Sequence, residues 1–101
     1  MNGMTIREFY DAMIKYDEIE FTYHGIEYMF NKTSIPDNRQ YIEVTIWSGE
    51  PQISCRFKEI AENSQLKLDK VIQNIFTSPI LLDGKTLKEA ESDIYVTVLF
   101  G

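Results

Sequence analysis

The side chains best suited to chemistry are few, because the chain has a single histidine and a single cysteine. His24 precedes a glycine at the centre of a predicted hairpin. A general base needs a positioned partner and a pocket, and a turn supplies neither, so we interpret His24 as a solvated turn residue. Cys55 falls at an inward-facing position of a candidate strand, whereas a reactive thiol needs an electropositive, partly exposed site. We therefore expect Cys55 to be a buried structural residue.

Metal and phosphate sites are not indicated either. One histidine and one cysteine cannot build a zinc tetrad. Asp17, Glu18 and Glu20 supply closely spaced carboxylates, but the spacing of a calcium-binding loop is absent. Residues 83–86 (Asp-Gly-Lys-Thr) resemble the end of a phosphate-binding loop, yet its upstream glycine and preceding strand are missing. We predict no catalytic residue, no metal site and no cofactor, and hence a chain that is not an enzyme.

The placement of charge is a more informative feature. Residues 1–27 carry a net charge of −4, residues 28–82 are neutral, and residues 83–101 carry −2. Each acidic block runs into a predicted strand, so the blocks would form one acidic surface if those strands were neighbours. Such a surface accelerates encounters with a basic partner, although acidic residues also simply keep a surface soluble. The candidate residues of this surface are Asp17, Glu18, Glu20, Glu27 and Asp93.

Aromatic residues form the second candidate feature. Tyr41 and Trp47 flank the third predicted strand on the side opposite its apolar residues. Tyr95 and Leu99 lie opposite the core side of the last strand. If the helices cover only one side of the sheet, these four residues are exposed, and exposed Trp and Tyr are typical interface anchors. The alternative is that the second helix, or the loop at residues 33–40, covers them.

Helices are predicted where apolar residues recur with helical spacing. A first helix spans residues 6–16, with Thr5 as its N-cap and Glu8 completing a capping box. Thr86 and Glu89 form a second capping box, which predicts a short helix just before the last strand. The longer helix that precedes it is indicated by Leu68, Val71, Ile72, Ile75 and Phe76.

Strands are predicted by alternating apolar residues. A two-residue turn at His24-Gly25 joins the first two strands of a hairpin. Further strands are expected at residues 41–47, around residues 53–57 and at residues 94–100. The hairpin register places three apolar pairs on one face: Tyr23 with Ile26, Phe21 with Tyr28, and Ile19 with Phe30.

These elements predict an α+β fold. Residues 1–101 would form a single domain, with an antiparallel sheet of four to five strands, an N-terminal helix and two helices in the C-terminal half. The predicted order is α-β-β-β-(β)-α-α-β, with a possible helical turn at residues 58–63. The last strand is almost entirely apolar, so we expect it to be central in the sheet or to pair with another copy of the chain.

Composition restricts the function classes further. The 101 residues carry a net charge of −6 and have a pI near 4.7, which disfavours direct binding of nucleic acid. The first nine residues lack a signal-peptide pattern, and the longest apolar run is too short to span a bilayer. A small secreted domain usually carries disulfides, which a single cysteine cannot form within the chain. We therefore expect a cytoplasmic protein without membrane association.

The chain resembles the small acidic proteins carried by bacteriophages and mobile elements of Gram-positive bacteria, among them anti-CRISPR inhibitors. The segments that carry the resemblance are residues 5–9, residues 20–28 and residues 83–89, together with the size of the chain. The resemblance implies stoichiometric binding, often with carboxylates presented where a nuclease expects phosphates. No functional residue of that group is carried over.

The leading hypothesis is a non-enzymatic inhibitor of a basic nucleic-acid enzyme, such as a Cas nuclease, that acts by mimicking DNA. The runner-up is an immunity-type or antitoxin-like protein that neutralises a toxin. A third hypothesis is a homodimeric structural or regulatory module joined through the last strand, and an enzyme is the least favoured. The predicted partner-binding residues are Asp17, Glu18, Glu20, Glu27, Tyr41, Trp47, Asp93 and Tyr95.

Overall fold

The computed structural model describes residues 3–101. The expectation about the first nine residues therefore falls partly outside the described residues, because it includes residues 1 and 2. A five-stranded antiparallel sheet has the order β4-β3-β2-β1-β5. The apolar sides of both helices join one face of this sheet in a single core. The elements are α1 (Ile6–Lys15), β1 (Glu18–Tyr23), β2 (Ile26–Ile35), β3 (Asn38–Ser48), β4 (Ser54–Glu62), α2 (Gln65–Thr77) and β5 (Ile94–Phe100).

The α+β class and the antiparallel sheet are confirmed. Thr5 caps α1 as predicted, because its side chain accepts a hydrogen bond from the Glu8 backbone and Glu8 completes the capping box. The hairpin register is also confirmed, since Phe21 pairs with Tyr28 and the two flanking apolar pairs follow. A one-residue slip would have moved these side chains to the solvent face, so the burial pattern specifies the register.

The predicted pair of helices in the C-terminal half is wrong, because only α2 forms. The capping box is present: Thr86 and Glu89 exchange two hydrogen bonds of 3.0 Å between side chain and backbone. However, the capping box is followed by turns and not by a helix. The backbone then reaches a positive φ of 78° at Ser92. So short a segment cannot repay the cost of helix nucleation before the chain enters β5.

Two segments, one predicted as a loop and one as a helical turn, form strands instead. The expected loop at residues 33–40 is taken up by β2 and β3, which leaves a tight turn at Pro36 and Asp37. The expected helical turn at residues 58–63 belongs to β4 for most of its length. Cross-strand pairing overrides local preference here, as is common for strands.

The expectation that Cys55 is buried is wrong, because a β-bulge changes the face on which it lies. Ile46 pairs with Phe57, but the next residue, Trp47, pairs with Cys55, so Arg56 is the extra residue. An extra residue moves all preceding side chains to the other face. Cys55 is therefore exposed beside Trp47.

The expectation of a central last strand is also wrong, because β5 lies at the edge of the sheet, with β1 as its neighbouring strand. A bulge at Thr97 places Val98, predicted to face the core, on the opposite face, and Leu99 on the helix side. The backbone of Gly3 and Met4 hydrogen-bonds to Ser92 and Ile94, so this segment covers the first part of the outer edge. Such cover, and the bulge itself, are ways in which proteins protect an edge strand.

Candidate binding face

The side of the sheet that faces away from both helices is here called the open face. Among residues 3–101, no other element covers its aromatic and aliphatic side chains, since Trp47 is 37% exposed, Ile60 54% and Phe100 68%. The open face comprises Glu18, Glu20, Thr22, Glu27, Met29, Asn31, Thr33, Tyr41, Glu43, Thr45, Trp47, Cys55, Lys58, Ile60, Glu62, Tyr95, Val98 and Phe100.

The open face is strongly acidic. It has five glutamates against one lysine, a balance of −4 within a chain of −6. The lysine, Lys58, lies 3.8 Å from a carboxylate oxygen of Glu43 and so neutralises that residue. Arg56 is turned to the helix side, where its Nε donates a 2.7 Å hydrogen bond to the carbonyl of Ile80. The negative charge is therefore concentrated on β1 and β2.

A depression of about 440 Å³ lies within this acidic part. Glu20, Met29 and Trp47 are consecutive in one row across β1, β2 and β3. Glu27 and Asn31 lie on either side of Met29 along β2 and complete the polar lining. Three predicted partner-binding residues, Glu20, Glu27 and Trp47, thus meet at one place. The remaining lining residues are Tyr28, Ser48, Gly49 and Ile53.

Two further predicted residues lie close to this depression on the same face. Glu18 is two residues before Glu20 on β1, so its side chain lies in the neighbouring row. Tyr95 pairs with Thr22 on β1, and Thr22 pairs in turn with Glu27 on β2. The open face thus collects five of the predicted residues in adjacent rows.

Tyr41 is on the open face but far from the acidic part. It pairs with Glu62 near the opposite end of β3 and is 37% exposed. Six residues of strand, roughly 20 Å, separate it from Trp47. Arg39 and Glu62 line a second depression beside Tyr41, so the surroundings of this tyrosine are of mixed charge.

Asp17 and Asp93 do not join the open face, although β1 and β5 are neighbours. The two strands are antiparallel, so the residue before β1 and the residue before β5 lie at opposite ends of the pair. Asp17 lies 3.9 Å from the ammonium of Lys32. Asp93 lies 3.9 Å from Nε2 of His24 at the hairpin turn. Asp17 and Asp93 therefore lie on different parts of the surface.

Lys32 closes the C-terminal end of α1. Its ammonium donates hydrogen bonds of 2.9 Å to the carbonyl of Met13 and 2.8 Å to that of Ile14. Burial lowers the pKa of Lys32, while the nearby carboxylate of Asp17 opposes this shift. Asp17 is thus an ion-pair partner of the residue that caps this helix end, while 66% of its own side chain stays exposed.

A small polar cluster surrounds the hairpin turn. The hydroxyl of Tyr23 donates a 2.7 Å hydrogen bond to Asp83, and its ring stacks on His24 at 3.8 Å. Burial and this hydrogen bond raise the pKa of Tyr23 to about 12, and the same bond lowers the pKa of Asp83. Across residues 3–101, no group of three or more histidine, cysteine or acidic side chains is arranged to hold a metal ion.

Several residues of the open face were not singled out from the sequence. Met29 and Asn31 form the floor and one end of the depression, and Val98 and Phe100 form an apolar margin on β5. The alternation along β2 already placed Met29 opposite the core, which was a usable signal. The position of Val98 depends on the bulge and has no local signal.

No family model matches the chain, and no curated protein or solved structure is significantly similar to it. Within the part of the chain that the structure describes, neither helix is long and apolar enough to cross a membrane.

Proposed function

We propose that the protein is a non-enzymatic binding protein whose open face docks onto a basic protein. The observation that carries the proposal is the meeting of Glu20, Glu27 and Trp47 at one depression on a sheet face that no helix covers. An acidic surface speeds the association with a basic protein. An exposed aromatic side chain adds a contact that stabilises the complex once water has been excluded from the interface.

The sharper form of the proposal is stoichiometric inhibition of a nucleic-acid enzyme. Glu18 and Glu20 project from the same face of β1, about 7 Å apart along the strand. Carboxylates spaced along a strand can take the place of DNA phosphates and pair with the lysine and arginine side chains that otherwise bind those phosphates. A partner of this class, such as a Cas nuclease, would place the activity in the bacterial cytoplasm.

The test is capture from a bacterial lysate with two charge-reversal variants of equal net charge. Glu20→Lys/Glu27→Lys changes the open face, whereas Asp11→Lys/Asp37→Lys changes exposed residues on α1 and on the β2–β3 turn. Each variant moves the net charge from −6 to −2. The complex is washed at about 0.1 M and again at about 0.5 M salt, because the higher salt screens exposed charge pairs and so weakens binding that depends on them.

The proposal predicts a basic nuclease that the wild type and the Asp11→Lys/Asp37→Lys control retain at the lower salt and release at the higher. The open-face variant should fail to retain it, and double-stranded DNA should displace it from the wild type. Equal retention by both variants would contradict the proposal.

One observation favours self-association as a second candidate function. β5 is an edge strand without a charged residue, and its outward-facing Val98 and Phe100 are 38% and 68% exposed. Two copies could pair their β5 strands around a two-fold axis. Sedimentation of the purified protein tests this: a dimer at micromolar concentration that Val98→Lys dissociates supports it, and a monomer excludes it.

A further inference from the structure

The depression on the open face has the dimensions and lining to hold one long side chain of a partner. Met29 forms its floor, with Trp47 on the adjacent strand at one side and Glu20 on the other adjacent strand. Since neighbouring strands lie about 4.8 Å apart, the backbones that carry Trp47 and Glu20 are separated by roughly 10 Å. Glu27 and Asn31 bound the same space along β2.

We propose that this depression binds the guanidinium group of an arginine, and the inference rests on the proposed function. The aliphatic stem of an arginine would lie over Met29, and its planar head would stack on the indole of Trp47. From that position its N–H groups would donate to the carboxylate of Glu20 or Glu27.

Charge complementarity identifies the occupant as a cation. The ion pairs within residues 3–101 leave both Glu20 and Glu27 without a basic partner. An apolar side chain in the depression would bury part of these carboxylates without compensation, which is unfavourable. A cationic side chain satisfies them while it covers the exposed indole.

The lining favours arginine over lysine. Guanidinium is planar, weakly hydrated and able to stack on an aromatic ring while donating to a carboxylate. The lysine ammonium is a compact, strongly hydrated charge that loses more hydration over Met29 and Trp47. Arginine also offers donors in several directions, which suits acceptors at the side and at the end of the depression.

The experiment uses the fluorescence of Trp47, which is the only tryptophan in the chain. The full-length protein is titrated with three acetylated tripeptide amides that differ in the central residue: arginine, lysine or the neutral isostere citrulline. We expect a saturable change with the arginine peptide and about tenfold weaker binding of the citrulline peptide. The lysine peptide should bind more weakly than the arginine peptide.

Variants test the assigned side chains. Glu20→Gln/Glu27→Gln should reduce arginine affinity to the citrulline level, whereas Glu62→Gln, on the same face but outside the depression, should leave it unchanged. Trp47→Leu should also weaken binding, followed through the methyl NMR signal of Met29. Thermal unfolding of each variant checks whether the fold is retained.

Three results would overturn the inference: no saturable binding of the arginine peptide, equal affinity for the citrulline peptide, or equal or tighter binding of the lysine peptide. These outcomes are separate from the capture experiment. Capture that depends on Glu20 and Glu27, without arginine selectivity, leaves the docking proposal standing and removes only the arginine assignment. Arginine-selective binding together with equal capture by both charge-reversal variants removes the docking proposal instead.

Discussion

The direction of individual side chains decides which acidic residues lie on the open face. Asp17 and Glu18 are adjacent in sequence, yet Asp17 lies beside Lys32 at the end of α1 while Glu18 points to the open face. Alternation along a strand separates neighbours in this way. The acidic clusters of the sequence are therefore divided between surfaces: Glu18, Glu20 and Glu27 of the first block lie on the open face, and no acidic residue of the second block does.

Tyr23 provides a prediction at this scale. Its buried ring is anchored by the 2.7 Å hydrogen bond to Asp83, so Tyr23→Phe should lower the free energy of unfolding by about 1 kcal/mol near neutral pH. Urea unfolding measures this difference. As a control, Phe76→Tyr adds a hydroxyl to a buried ring of the same core and is expected to lower the free energy of unfolding. A hydroxyl therefore stabilises this core only where it has a hydrogen-bond partner, as at Tyr23.

The same residue predicts a dependence on alkaline pH. The pKa of Tyr23 is raised from 10.0 to about 12 in the folded protein, so the folded state holds the phenol proton more tightly than the unfolded state. This contribution to stability is complete below pH 10 and is lost as the pH rises towards 12. The difference between wild type and Tyr23→Phe should shrink over that interval in unfolding experiments. A constant difference would contradict the assignment.

Among the elements, the two β-bulges have the largest effect on the surface. The bulge at Arg56 exposes Cys55 on the open face, and the bulge at Thr97 exposes Val98 there. Each arises from pairing with another strand, so apolar alternation within β4 or β5 could not predict it. The helix α1 and the first hairpin are different, because a capping box and an alternating pattern are local signals.

The end of α1 supplies a prediction at the scale of elements. Lys32→Ala should lower the free energy of unfolding by about 2 kcal/mol, because the carbonyls of Met13 and Ile14 lose a charged donor. Lys15→Ala is the matched control, since Lys15 is an exposed basic residue in the last turn of the same helix. Its effect should stay within about 0.5 kcal/mol. Equal effects in chemical denaturation would contradict the capping role of Lys32.

The whole molecule is polarised: the helices occupy one face of the sheet, and most of the net negative charge lies on the other. The α+β class followed from helical spacing together with strand alternation, and the facing of Glu20, Glu27 and Trp47 followed from alternation. The order of the strands did not, because the apolar sequence of β5 is equally compatible with a central strand and with an edge that Gly3 and Met4 partly cover. Strand order is set by contacts between distant segments, which is why local patterns leave it open.

The most direct test of docking through the open face is the environment of Trp47 in the complex with the captured partner. Biosynthetic 5-fluorotryptophan gives one fluorine NMR signal, because the chain has one tryptophan. Binding should shift this signal and protect it from a soluble paramagnetic quencher, and Glu20→Lys/Glu27→Lys should abolish both effects. A complex in which the fluorine signal keeps its position and its exposure would contradict docking through the open face.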